Sequence, residues 1–179
     1  MRTKTRYVLC GLLAEGPQTG YQLKKLIDER FKAFWNESYG QIYPELKSLC
    51  DEGYIEIEDK KKNARKNTRY KLTAKGFSLL ETWLEKEPEK ESVRLEILLK
   101  TYFSKHGSKV SIIDYLEQFK LDHYSDLNEL TAFKNQLGSA QSLDQLELLS
   151  VVDFSIKVNK AYIQWCDESL KQFKKELVV

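Results

Sequence analysis

The sequence predicts a mainly α protein with a winged helix-turn-helix unit over 1–86 and an all-helical unit over 87–179. Two patterns carry this. In the first unit, three amphipathic helical segments precede two short alternating strands joined by a basic loop. In the second, every segment has helical periodicity, and the last repeats apolar residues at alternating spacings of three and four over four heptads.

Each element has its own signal. Residues 3–14 place Tyr7, Leu9, Cys10, Leu12 and Leu13 at helical spacing and stop at Glu15-Gly16-Pro17. A second helix runs from Gly20 to Phe31 with Leu23, Leu26 and Ile27 inward. A third lies in SYGQIYPELKSLCDEG, with Gly53 marking the switch to the strand YIEIED. A basic loop and a second strand, TRYKL, follow, and Thr73 caps a fourth helix through Leu84. The acidic run EKEPEKE is the linker.

Beyond it, helices are expected over Ser92–Lys105, Ser108–Leu137 and Ser142–Leu177, separated near His106-Gly107 and Gly138-Ser139. On the last, Leu149, Val152, Ile156, Asn159, Ile163, Cys166, Leu170, Phe173 and Leu177 form a coiled-coil seam. The seam either packs only on the chain's own preceding helix or also pairs with a second subunit, as a dimerisation surface. Asn159, polar on an apolar stripe, would then fix the register.

Composition excludes several classes. With 41% hydrophobic and 31% charged residues the chain is neither disordered nor membrane-like, and no apolar run reaches the ~20 residues that span a bilayer. Cys10, Cys50 and Cys166 are odd in number and far apart, which argues against a disulfide framework and for a reducing cytoplasm. His106 and His123 have no ligand-spaced neighbours, and neither HExxH, GxSxG nor a phosphate-binding glycine loop occurs. No enzyme activity, metal or cofactor is expected. Trp35, Trp83 and Trp165 are read as partly buried core residues.

The net charge of +2 hides an asymmetry: residues 1–90 hold 18 Lys+Arg against 14 Asp+Glu, and 91–179 hold 11 against 13. Lys60, Lys61, Lys62, Arg65 and Lys66 join the two strands, where a wing would reach a phosphate backbone and release condensed counterions. Arg2, Lys4 and Arg6 are weaker candidates for flanking phosphates.

In the third helix, Ile42, Leu46, Leu49 and Cys50 fall on one arc, the core face, while Gly40, Gln41, Pro44, Lys47 and Ser48 fall outside it. Ser38 with Gln41 is a capping-box pattern, so the helix starts at Ser38 with Pro44 bending it, or near Gly40 with Pro44 in the first turn. Either start suits insertion into a major groove about 12 Å wide. Gln41 could pair with an adenine edge, and Tyr39, Tyr43 and Lys47 suit phosphates. Tyr39 faces either the core or the groove.

The strings GPQTGYQL, SYGQIYPELKSLCDEGYIE and TRYKLTAKG resemble the PadR family of transcriptional regulators. The match includes Gly40, Ile42, Tyr43, Pro44, Leu46, Gly53, Ile55, Tyr70, Leu72, Thr73 and Gly76. The helical second half is similar in layout to longer members with virulence-activator-like C-terminal domains. The resemblance implies a dimer on a palindromic double-stranded DNA operator, a repressor or an activator. It also implies release, in some relatives, by phenolic acids or other small aromatic compounds. A rival expectation is a winged-helix protein-interaction module whose basic wing docks an acidic partner.

Overall fold

The computed structural model describes residues 4–32, 34–58, 68–90 and 93–177. The chain divides into two compact units, one ending at Lys90 and one beginning at Glu91. The first contains α1 (Thr5–Ala14), β1 (Gln18–Thr19), α2 (Gly20–Arg30), α3 (Tyr39–Asp51), β2 (Ile55–Ile57), β3 (Arg69–Leu72) and α4 (Ala74–Leu84). Leu9, Leu12 and Leu13 of α1 meet Leu23 and Ile27 of α2, Ile42, Leu46 and Leu49 of α3, and Ile55 and Leu72 of the ribbon in one core.

β1 has no counterpart among the elements expected from the sequence. Two residues leave no periodicity, yet the pairing of Gln18 with Tyr70 and of Thr19 with Arg69 gives the sheet the order β1-β3-β2. The same Thr19 caps α2: its hydroxyl accepts from the Gln22 N–H at 3.2 Å and its own N–H donates to Gln22 Oε1 at 2.8 Å. α3 is closed off just past Asp51 by Gly53 (φ 77°), where the Gly53 N–H bonds the Cys50 carbonyl and the Tyr54 N–H bonds that of Leu49. This left-handed turn reverses the chain into β2, which pairs with β3 through Ile55–Leu72, Glu56–Lys71 and Ile57–Tyr70. Thr73 closes the ribbon onto α4: its hydroxyl lies 2.9 Å from the Tyr54 carbonyl and accepts from the Gly76 N–H.

The second unit comprises α5 (Glu96–Tyr102), a 3-10 turn at Ser104–His106, α6 (Lys109–Leu137) and α7 (Leu143–Leu177). α5 is shorter than the helix expected over 92–105. α6 and α7 form an antiparallel hairpin whose register is tied by Lys174–Glu117, Lys120–Asp167 and Lys134–Asp153.

The α7 seam is occupied by the chain itself. Val152, Ile156, Asn159, Ile163 and Leu170 are buried within the single chain, and Leu149 and Phe173 are half-buried. α6 lies along the stripe and covers its middle within the chain, while Leu149 and Phe173 keep part of their surface open. Asn159 does specify a register, but an internal one. Its Nδ2 donates to the Ser155 carbonyl at 2.9 Å, so its Oδ1 accepts from His123 Nδ1 of α6 at 2.6 Å.

Candidate nucleic-acid interface

The first turn of α3 begins at Tyr39, with Ser38 as its N-cap. Gln41 Oε1 accepts from both the Ser38 N–H and the Ser38 hydroxyl, each at 2.9 Å. Of the two starts compatible with the sequence, this is the earlier one, and it leaves Pro44 inside the helix. Pro44 therefore removes the bond that would close on the Gly40 carbonyl. Both residues are exposed, so that carbonyl is open to solvent or to a ligand.

The helix is divided by exposure. Ile42, Leu46 and Leu49 are fully buried, whereas Ser38, Tyr39, Gly40, Gln41, Tyr43, Pro44 and Lys47 are exposed. Tyr39, for which core and groove are both compatible with the sequence, is 44% exposed and lies away from the core. Its ring stacks near that of Tyr43 at 6.0 Å between centroids, which presents two hydroxyl-tipped rings side by side. Gln41 is brought to the same face with its carbonyl oxygen already engaged in the cap. A bidentate contact to adenine needs that oxygen, so such a contact would have to displace the Ser38 bonds.

α1 holds α3 from behind. Arg6 is 2% exposed; its Nε and Nη2 donate to Glu45 Oε1 at 3.0 and 2.9 Å, and Nη2 also donates to Glu52 Oε1 at 2.8 Å. Burial by itself would lower the Arg6 pKa, but hydrogen bonds from the guanidinium to the Glu52 and Glu45 carboxylates hold it above the ordinary value. Arg6, expected as a flanking phosphate contact, is thus a structural ion pair. Lys4 sits on the surface beside Glu89 at 3.2 Å, and Arg2 lies outside the described residues. Sequence reasoning missed the Arg6 role because its partners are 39 and 46 positions away.

The wing residues Lys60, Lys61, Lys62, Arg65 and Lys66 lie outside the described residues. What is described is the base that carries them, ending where the Glu58 N–H donates to the Arg69 carbonyl at 3.0 Å. Arg69 itself is engaged, donating to the Pro17 carbonyl at 2.7 Å beside Glu58 at 3.4 Å.

No group of His, Cys, Asp or Glu suited to a metal ion occurs among the described residues. The Cys10 and Cys166 thiols are pushed up to about 11 by burial, which keeps them unreactive. No helix among the described residues is long and apolar enough to cross a membrane. Trp83 stacks on Tyr7 at 4.8 Å and Trp165 meets Phe119 edge-on, so both pack against neighbours in their own unit.

Residues 8–82 match the transcriptional regulator PadR-like family, and residues 93–174 match the virulence activator alpha C-term family. The chain is 28% identical to the negative transcriptional regulator PadR of Bacillus subtilis, over 96% of this chain and 98% of that one. The structure of B. subtilis PadR in complex with operator DNA is similar with a TM-score of 0.78 at 30% identity, covering 96% of this chain and 99% of that one. The same protein in complex with p-coumaric acid gives a TM-score of 0.72 at 30% identity, with the same coverage. A PadR-like regulator from Bacillus cereus shares the fold at a TM-score of 0.81 and 22% identity, covering 97% of this chain and 99% of that one.

Proposed function

The chain belongs to the PadR-like family of transcriptional regulators, and we propose that it is a cytoplasmic, homodimeric repressor of a palindromic operator. The observation that carries this reading is the exposed face of α3, where Ser38, Tyr39, Gln41, Tyr43 and Lys47 stand opposite the buried Ile42, Leu46 and Leu49. That face enters the major groove. Tyr39, Tyr43 and Lys47 bind phosphates, and Gln41 and Ser38 meet base edges or backbone. Lys60, Lys61, Lys62, Arg65 and Lys66 of the wing contact the adjacent phosphates. Repression follows the B. subtilis relative, a negative regulator.

The dimer forms through the second unit, on side chains other than the α7 seam. A two-helix hairpin has a single inner seam, and Leu121, Tyr124, Leu143, Leu146 and Phe154 remain exposed outside it. A second copy covers them and sets two α3 helices about one DNA turn apart, roughly 34 Å. The effector is a small aromatic acid, the class to which the p-coumaric acid bound by B. subtilis PadR belongs.

The test is a titration of duplex DNA from upstream of the protein's own gene, repeated over a range of salt concentrations. Saturable binding that weakens steeply with salt and is reversed by aromatic acids is expected. Absence of saturable binding at low salt would return the wing to the rival role of docking an acidic protein.

A further inference from the structure

We propose that Glu37 is a positioning residue for DNA recognition: its buried carboxylate fastens the entry of α3 to α1 and sets the direction of the turn that carries Tyr39, Gln41 and Tyr43. The inference rests on the regulator reading for its functional consequence, though the anchoring itself does not need DNA.

Glu37 precedes the N-cap Ser38 and is 2% exposed. Its Oε1 accepts from the Thr5 hydroxyl of α1 at 2.7 Å and from the Trp35 indole N–H at 2.8 Å. Its Oε2 is buried with no hydrogen-bond partner among the described residues. A buried carboxylate with an orphan oxygen is costly, and stability alone would be better served by an apolar side chain of similar volume. What the carboxylate supplies is geometry. The Trp35 backbone N–H bonds the Phe31 carbonyl at 2.7 Å, so the exit of α2, the start of α1 and the entry of α3 all converge on one oxygen.

The need for such an anchor is local. Pro44 deletes the bond to the Gly40 carbonyl, so the first turns of α3 hold their own direction less firmly than an uninterrupted helix would. The Ser38–Gln41 cap ties that turn to itself, and Arg6 ties the helix to α1 only from Glu45 onward. Glu37 is the tie at the entry. A negative charge beside a helix N-terminus also complements the helix dipole. Being buried, Glu37 touches no DNA and acts through the tyrosines that follow it.

The test uses the full chain with Glu37→Ala, Glu37→Gln and Thr5→Val, at a temperature where melting curves show each variant folded. Amide hydrogen exchange over 39–43 is read in the free protein, and affinity is read on duplex DNA from upstream of the gene. Glu37→Ala removes both hydrogen bonds to Oε1 and is expected to speed exchange and weaken binding by about tenfold. Glu37→Gln keeps the carbonyl acceptor and should recover binding to within about threefold, with Thr5→Val between the two. Wild-type exchange and affinity in folded Glu37→Ala would overturn the proposal. If that variant does not fold, wild-type values for Thr5→Val overturn it instead. If the wild-type chain binds no duplex, the regulator reading fails, and exchange in the free variants alone decides the anchoring.

Discussion

The ring of Tyr43 lies on the α-carbon of Gly20: a β-carbon built there would stand 2.7 Å from Tyr43 Cε1 and 3.0 Å from Cζ. The first residue of α2 thus sets where the recognition face of α3 presents one of its two tyrosines. The clash would be with the far end of a side chain that is 43% exposed, so it can be relieved by moving the ring. Gly20→Ala should therefore weaken operator binding by several-fold, about 1 kcal/mol, while the melting temperature stays close to wild type. Fluorescence anisotropy and differential scanning calorimetry on one preparation check both halves.

Gly76 makes the opposite prediction. A β-carbon there would meet the Tyr54 carbonyl oxygen at 2.2 Å and Leu72 Cδ1 at 2.5 Å, and backbone cannot swing aside. Gly76→Ala should cost about 1–3 kcal/mol of stability through overpacking, read by urea denaturation.

The wing is tested by charge. Replacing Lys60, Lys61 and Lys62 with alanine should weaken binding to operator and to unrelated duplex alike. For every phosphate that is no longer neutralised, the slope of log K against log salt should become shallower by about 0.9. An unchanged slope would remove these residues from the interface.

Two kinds of substitution separate the core of the hairpin from the dimer surface. Ile156→Glu and Ile163→Glu bury a charge under α6 and should unfold the second unit, seen as a drop in helical circular dichroism. Phe154→Glu, at a residue 55% exposed, should leave the helices intact and yield monomers in sedimentation. A folded dimer that survives Phe154→Glu would move the interface to another face.

Acid should loosen the hairpin. A hydrogen bond from Lys174 holds the Glu117 carboxyl below its ordinary range, and those from Lys134 and Lys157 do the same for Asp153. A carboxylate whose folded pKa is depressed contributes stability above its unfolded pKa, and loses it as pH falls through the folded value. The melting temperature should thus be flat near neutrality and fall below about pH 4. Both groups are partly exposed, so added salt should shrink the effect.

Much of the first unit was legible in the sequence because its signals are local. Gly16-Pro17, the Ser38–Gln41 cap, Gly53 and Thr73 place the helix ends, and the 3.6-residue period of Ile42, Leu46 and Leu49 separates core from surface. What escaped were features made by distant partners. β1 exists only because β3 pairs with it. Arg6 reads as a free cation until Glu45 and Glu52 close on it, and Glu37 reads as a loop acid until Thr5 and Trp35 donate to it.

The helix faces, the winged helix-turn-helix layout and the helical periods of the second half were legible in the order of residues alone, since apolar period and capping are properties of near neighbours. Which surfaces meet those faces was settled only on folding. A heptad stripe states that α7 must bury one side, but an apolar side chain is covered equally well by its own chain or another. Only the folded hairpin gives the α7 seam to α6, with Asn159 bonded to His123. Likewise only the packing of α1 and α2 turns Tyr39 and Tyr43 outward, because a helix fixes relative angles along its length and its neighbours fix which angle faces solvent.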